Sequence, residues 1–111
     1  KVVMAITEGD LIMLVLAASS VVDIAKVSEV LGKQARLVSE GEFASAFPDC
    51  EAGAMPPFGN LYDVAVYVDR ALGRNERIVF QAGTHTVTMS VAYQDFERLA
   101  RPTIADIAMT R

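Results

Sequence analysis

The loop from Gly53 to Gly59 has the composition of a pocket wall. Its two prolines fix φ and remove two backbone N–H donors, so this segment is neither a helix interior nor a central strand. The glycine at each end allows another molecule to approach the backbone closely. The residues between them have no polar side-chain group: Ala54, Met55, Pro56, Pro57 and Phe58. The loop therefore either faces a ligand or connects two elements, with Met55 and Phe58 packed in the core.

Two side chains outside this loop could act on a bound substrate. Lys1 opens an aliphatic segment, and its ammonium group in a cleft could hold a carbonyl or a phosphate, or stabilise developing negative charge. An ordinary lysine in solvent is the alternative interpretation. His85 follows Gly83 and Thr84 in a turn between two predicted strands. It could serve as an acid, a base or a hydrogen-bond donor in a pocket, or it could point into solvent.

Other kinds of catalytic site are disfavoured. Cys50 is the single cysteine and His85 the single histidine, which argues against a disulfide and a transition-metal site. The acidic neighbour Glu51 disfavours a reactive thiolate, so we expect Cys50 to be structural. The chain has no phosphate-binding glycine loop, dinucleotide fingerprint or Gly-x-Ser-x-Gly nucleophile motif. We expect no metal and no cofactor.

Length and composition are typical of one globular domain. The chain has 111 residues, of which 52% are hydrophobic and 22% are charged. A net charge of −4 without a Lys/Arg run disfavours a broad interface with nucleic acid but allows a local contact with one nucleotide end. Several arginines could form an anion-binding face or an ordinary solvated surface: Arg70, Arg74, Arg77, Arg98 and Arg101. The longest apolar run, from Leu11 to Ala18, is too short to span a bilayer.

Hydrophobic patterning predicts the elements that would position these residues. Two aliphatic runs, 1–6 and 11–17, flank a turn containing Gly9 and predict a β-hairpin. Asp23 and Gly32 are typical of the start and the end of a helix. Further strands are expected at 35–38, 63–69, 77–80 and 86–92, and a long loop at 49–62. Further helices are expected at 39–47, at 93–100 with Phe96 and Leu99 inward, and as a final turn or two at 104–109.

This count of about six strands and three or four helices predicts the fold class. Hairpins and β-α-β connections are mixed, which is typical of an α/β or α+β domain around a mixed, curved, barrel-like sheet. The first strand reads as already under way at Lys1. We therefore expect residues to precede Lys1 in the intact protein.

The order of these features resembles the YbaK family, also called the prolyl-tRNA synthetase-associated or tRNA-editing domain. The resemblance rests on the lysine that opens a hairpin, the Gly53–Gly59 loop, Val-Tyr-Val-Asp ending at Asp69 and Ala-Gly-Thr-His ending at His85. It covers nearly the whole chain, 1–111, as a single domain. It implies a cytoplasmic hydrolase that deacylates mischarged tRNA, either free-standing or as an insertion domain of prolyl-tRNA synthetase.

The resemblance also implies roles for particular residues. Lys1 corresponds to the key lysine of the family, and backbone N–H groups around Gly53 and Gly59 would donate to the developing charge. The residues from Ala54 to Phe58 would lie against the amino acid and the terminal adenosine. The Gly83 turn would close the other side, which brings Thr84 and His85 near the pocket. The partners implied are the acceptor end of aminoacyl-tRNA and an aminoacyl-tRNA synthetase.

Two departures from the family pattern leave other functions open. Family members carry an N-terminal helical segment ahead of the lysine, which this sequence lacks, and Gln81 stands where asparagine is common. One alternative is an inactive module that binds a nucleotide, an aminoacyl ligand or a synthetase. Another is a non-catalytic assembly partner, for which a large exposed apolar patch would be the sign.

Overall fold

The aliphatic runs at the start of the chain form a hairpin, which begins a five-stranded mixed sheet. A computed structural model describes residues 1–51 and 54–109. The strands are β1 (Val2–Thr7), β2 (Asp10–Val15), β3 (Ala35–Leu37), β4 (Ala65–Asp69), β5 (Arg77–Gln81), β6 (Thr88–Ala92) and β7 (Thr103–Ala105). The α-helices are α1 (Ile24–Leu31), α2 (Glu40–Phe43) and α3 (Tyr93–Ala100), and 3₁₀ helices span Ala44–Ala46, Gly59–Tyr62 and Arg70–Arg74.

The strand order places the start of the chain at the edge of the sheet where the parallel strands end. The order is β3-β1-β2-β4-β7, with β2, β4 and β7 parallel and β1 antiparallel to both of its neighbours. Because Val2 pairs with Val15, the start of β1 lies at the carboxyl edge of the parallel strands. Open sheets that contain parallel strands commonly bind ligands at this edge.

The observed architecture confirms the predicted α+β class with a mixed sheet. Five strands form the main sheet, and β5 and β6 form a separate antiparallel hairpin. The main sheet is open, with β3 and β7 as its outer strands, so it is not closed into a barrel. The sequence pattern shows strands but not which of them pair, and closure depends on that pairing.

Apolar side chains cover both faces of the main sheet. Met13 and Val15 of β2 pack into a cluster with α3 and β5. Ile12 and Leu14 point to the other face, where they pack in a cluster with α1. The predicted apolar run is therefore a central strand that is buried on both sides.

Two local predictions about helices are wrong. The 104–109 segment is not helical, because Ile104 and Ala105 pair with β4 and the following residues pair with 21–23. Hydrogen bonds to backbone N–H and C=O groups of β4 that would otherwise be unpaired outweigh any weak helical preference of this short segment. Leu99 is 50% exposed rather than inward, whereas Phe96 is fully buried as predicted. The predicted limits of α1 are confirmed: the Asp23 carboxylate accepts hydrogen bonds from two backbone N–H groups, and Gly32 ends the helix at φ +68°.

Candidate functional site

Lys1 lies at the carboxyl edge of the sheet, beside two adjoining cavities. Its backbone extends the β1–β2 ladder, with N–O distances of 2.6 and 3.1 Å to Leu16. The residue is exposed, and it lines one cavity of about 220 Å³ and another of about 270 Å³. We call these the inner and the outer Lys1 cavity, respectively.

The inner Lys1 cavity lies between the main sheet and the β5–β6 hairpin. Its walls are mostly aliphatic and aromatic, and Asn75, Arg77 and the Lys1 ammonium are its polar side chains. The remaining lining residues are Val2, Val15, Leu16, Ala17, Ala18, Pro57, Leu72, Ile78, Val79 and Phe80. An apolar wall lowers the local dielectric constant, which strengthens the interaction between an ammonium group and a negative charge.

The outer Lys1 cavity brings the lysine next to a second residue of the proline loop. Met55 lines it together with Gln81 and Thr88, which are paired residues of the β5–β6 hairpin. Val2, Ala18, Val79 and Phe80 complete the lining. The structure thus brings Lys1 together with Pro57 in one cavity and with Met55 in the other.

The Gly83 turn holds the proline loop in place. Gly83 adopts φ +97°, a conformation that favours glycine. Its N–H donates to the carbonyl of Ala54 at 2.9 Å, and its carbonyl accepts from the N–H of Glu51 at 2.7 Å. These bonds flank Ala52 and Gly53, which lie outside the described residues. Ala54 itself is completely buried, and its N–H donates to Glu51 at 3.0 Å.

Phe58 and Gly59 line neither Lys1 cavity and pack against the core. The ring of Phe58 meets those of Phe80 and Phe96 at centroid distances of 5.5 and 5.9 Å. A Cβ on Gly59 would lie 2.9 Å from the carbonyl oxygen of Val64 and 3.0 Å from the Cγ2 of Val66. Close packing therefore explains this glycine, and the predicted backbone donation from Gly59 to a substrate stays a prediction.

The other predicted pocket residues lie on or near the β5–β6 turn. The hydroxyl oxygens of Thr84 and Thr86 are 3.3 Å apart. His85 is exposed, and its Nδ1 lies 3.3 Å from Nε2 of Gln81. Since Gln81 lines the outer Lys1 cavity, His85 is connected to that cavity through one side chain. Pro56 is half-buried, and Pro57 is fully buried.

Sequence reasoning missed the contribution of β5. Phe80 lines both Lys1 cavities, and so does Val79, which is 66% exposed. The sequence does carry a signal, because Ile78, Val79 and Phe80 form an unbroken apolar run. When one face of a two-stranded hairpin packs against the core, the apolar residues of its strands should alternate with polar residues that face the other way. An apolar residue on that other face, here Val79, indicates that this face also borders a site or a packing surface.

Cys50 lies against a tyrosine and lines neither Lys1 cavity. Its Sγ is 3.6 Å from the hydroxyl of Tyr62. The hydrogen bond with Cys50, helped by burial, raises the pKa of Tyr62, so the phenol stays protonated at neutral pH. Within residues 1–51 and 54–109, no group of three His, Cys, Asp or Glu side chains could hold a metal ion. No helix in the same residues is long and apolar enough to cross a membrane.

The fold and the site define a class: an α+β domain with an apolar pocket that carries a lysine at the carboxyl edge of a mixed sheet. The family model of the aminoacyl-tRNA editing domain matches residues 1–99. The chain therefore belongs to the aminoacyl-tRNA editing domain family, and the resemblance to YbaK proteins is confirmed. No curated protein matches the chain.

Solved structures share this fold at low sequence identity. A candidate trans-editing enzyme for prolyl tRNA synthetase superimposes with a TM-score of 0.88 at 17% identity, covering 99% of this chain and 69% of that one. The hypothetical protein APE2540 has a TM-score of 0.88 at 18% identity, covering 98% and 73% of the two chains. A candidate signal transduction protein from Marinobacter aquaeolei VT8 has a TM-score of 0.83 at 18% identity, covering 99% of this chain and 24% of that one.

Proposed function

We propose that this domain hydrolyses the ester bond of mischarged aminoacyl-tRNA and so serves translation fidelity in trans. The observation that carries the proposal is the position of Lys1, which lines two cavities with Pro57 and Met55 of the proline loop. Membership of the editing family supports the same reaction class. The substrate would enter by its acceptor end, with the aminoacyl group in the cavities. Such a substrate implies a cytoplasmic location and a functional association with a synthetase.

The proposed reaction begins with attack of water on the carbonyl carbon of the ester. A tetrahedral oxyanion forms, and the Lys1 ammonium stabilises its charge inside the apolar walls. Collapse of this intermediate breaks the bond between the carbonyl carbon and the ribose oxygen. The ribose oxygen leaves with the proton that the attacking water gives up, and the products are a free amino acid and deacylated tRNA. A neighbouring ribose hydroxyl of the substrate would position the water.

The loop and the cavities would decide which amino acid is removed. The cavity walls beside Lys1 are mostly apolar, so they would discriminate between amino acids by the size and shape of the side chain. Met55 faces the outer Lys1 cavity directly. His85 would act through Gln81, because it lies within hydrogen-bond distance of that side chain. Each methylene group admitted or excluded by such a pocket is worth about 1–3 kcal/mol.

A second candidate function is binding without hydrolysis. Among the described residues that line the Lys1 cavities, the side chains are Lys, Arg, amide, hydroxyl or apolar, and none is a carboxylate, histidine or cysteine. These described lining residues therefore supply no carboxylate, imidazole or thiolate that could act as a general base. This observation favours a module that holds a nucleotide or an aminoacyl ligand.

Hydrolysis of mischarged tRNA by matched lysine variants separates the two functions. We expect the wild-type protein to deacylate at least one member of a panel of mischarged tRNAs. Lys1→Ala should abolish that activity, because the oxyanion loses the side-chain ammonium group that borders both cavities, and the midpoint of thermal unfolding should be nearly unchanged. Lys33→Ala is the control, since Lys33 pairs with Glu8 at 3.3 Å near the opposite edge of the sheet. Full turnover by the Lys1 variant would contradict the mechanism, and no turnover by the wild type would favour the binding module.

A further inference from the structure

A third cavity adjoins the inner Lys1 cavity across the 3₁₀ helix Arg70–Arg74. Its volume is about 510 Å³. Leu72 of this helix lines the inner Lys1 cavity, whereas Arg70, Ala71 and Arg74 line the third cavity. Asp69 and Asp106, which end or follow the parallel strands β4 and β7, also line it. The third cavity therefore opens at the same edge of the sheet as the Lys1 cavities.

Cations outnumber carboxylates in this cavity, although the chain as a whole has a net charge of −4. Both carboxylates have partners: Asp69 accepts from the buried N–H of Ile107 at 3.2 Å, and Asp106 pairs with Lys26 at 3.2 Å. The Lys26 ammonium also donates to the carbonyl of Ala108 at 2.8 Å.

The two arginines that line the third cavity differ from Lys26, which has both an ion pair and a hydrogen bond. Arg70 and Arg74 are exposed, and within residues 1–51 and 54–109 neither guanidinium group has an ion pair or side-chain hydrogen bond. Two of the other three arginines named in the sequence analysis do have side-chain partners. Arg77 donates to Ser90 at 3.0 Å, and Arg98 pairs with Asp95 at 3.4 Å. An unpaired guanidinium group presents a planar fork of donors that fits a phosphate.

We propose that the third cavity binds phosphodiester groups of the RNA strand whose 3′ end enters the Lys1 cavities. This inference rests on the proposed function, because it needs an ester at the end of an RNA strand. The phosphates of that strand lie on its 5′ side and must leave the Lys1 cavities along the protein surface. The 3₁₀ helix Arg70–Arg74 is the wall that they would cross. Arg70 and Arg74 then bind the backbone, and Lys1 acts on the ester.

RNA binding by charge-matched variants tests this assignment without requiring catalysis. The probe is an unacylated RNA hairpin with a single-stranded 3′ end, and its affinity is measured over a range of salt concentrations. The double variant Arg70→Ala/Arg74→Ala should bind roughly tenfold more weakly. The slope of log affinity against log salt should fall in magnitude by about 1.4, which corresponds to two lost phosphate contacts on a single strand. The control double variant Lys33→Ala/Arg98→Ala loses the same charge and should keep the wild-type slope.

Hydrolysis of two substrates then distinguishes the phosphate site from the catalytic site. The arginine double variant should lose activity on aminoacyl-tRNA but retain it on aminoacyl-adenosine, which has no phosphate, whereas Lys1→Ala should lose both. Unchanged affinity and salt slope in the arginine variant would overturn the proposal. So would an equal loss on both substrates, or binding of inorganic phosphate at this cavity with no effect on RNA. If the wild type hydrolyses neither substrate but the arginine variant loses RNA affinity, the proposed function fails and the phosphate site stands.

Discussion

Lys1 combines an exposed position with an apolar setting. Its backbone is fixed by the β1–β2 ladder, while its side chain borders the two Lys1 cavities. A charge at the mouth of an apolar pocket retains most of its hydration and still interacts strongly with a substrate charge inside. The sequence showed the lysine and the proline loop as separate features. Their proximity depends on strand pairing, which the sequence does not display.

At the residue scale, a substitution of Tyr93 tests how its buried hydroxyl group affects stability. Its hydroxyl is buried and has no hydrogen-bond partner among the described residues. Burial, with a contribution from Glu97, raises the pKa of Tyr93, so the hydroxyl remains protonated at neutral pH. We expect Tyr93→Phe to leave the free energy of unfolding unchanged or to increase it by up to about 1 kcal/mol, because an unsatisfied polar group is removed.

Chemical denaturation of matched tyrosine variants measures this effect. The control is Tyr62→Phe, which loses the contact with Cys50 and should be slightly less stable than the wild type. A loss of more than about 1 kcal/mol in Tyr93→Phe would show that its hydroxyl has a partner that stabilises the fold.

At the element scale, a glycine decides how the proline loop joins the sheet. Gly59 begins the 3₁₀ helix Gly59–Tyr62, and its carbonyl accepts from the N–H of Val64 at 2.9 Å. We expect Gly59→Ala to lower the free energy of unfolding by about 1–3 kcal/mol, because the new methyl group would collide with backbone and core atoms. Urea denaturation measures the change.

Gly41→Ala is the matched control for this substitution. A Cβ at Gly41, in α2, would meet no atom within 4 Å. Alanine there should be neutral or stabilising by up to about 1 kcal/mol. If the two variants had equal stability, the close packing around Gly59 would be disproved.

The elements differ in how far local sequence determines them. α1 could be predicted to the residue because its capping side chain and its terminal glycine lie next to it in sequence. The strand β7 could not, because it depends on backbone groups of β4 that lie more than thirty residues earlier. The same reason explains why β5 was missed as a cavity wall. Its position across the cavities from the start of β1 is set by tertiary packing.

At the scale of the whole molecule, sheet order places the proposed chemistry. Two parallel pairings, β2 with β4 and β4 with β7, gather three strand ends at one edge, and the β1–β2 hairpin brings Lys1 to it. The arginine-lined third cavity opens at this edge too. Composition predicted an acidic domain without a broad basic surface. Among the described residues, Arg70 and Arg74 at this edge have no ion pair, and the proposed function needs the domain to hold only the end of an RNA molecule.

The place where an acceptor-end analogue binds tests the position of the proposed site most directly. The probe is aminoacyl-adenosine with an amide in place of the ester, titrated into isotope-labelled protein and followed by backbone amide chemical shifts. We predict saturable shifts at Val2, Met55, Phe80 and Gln81, which line the Lys1 cavities, and no shift at Gly9 in the hairpin turn of the opposite edge. Shifts confined to residues outside those cavities, or no saturable shift at all, would contradict the proposed site.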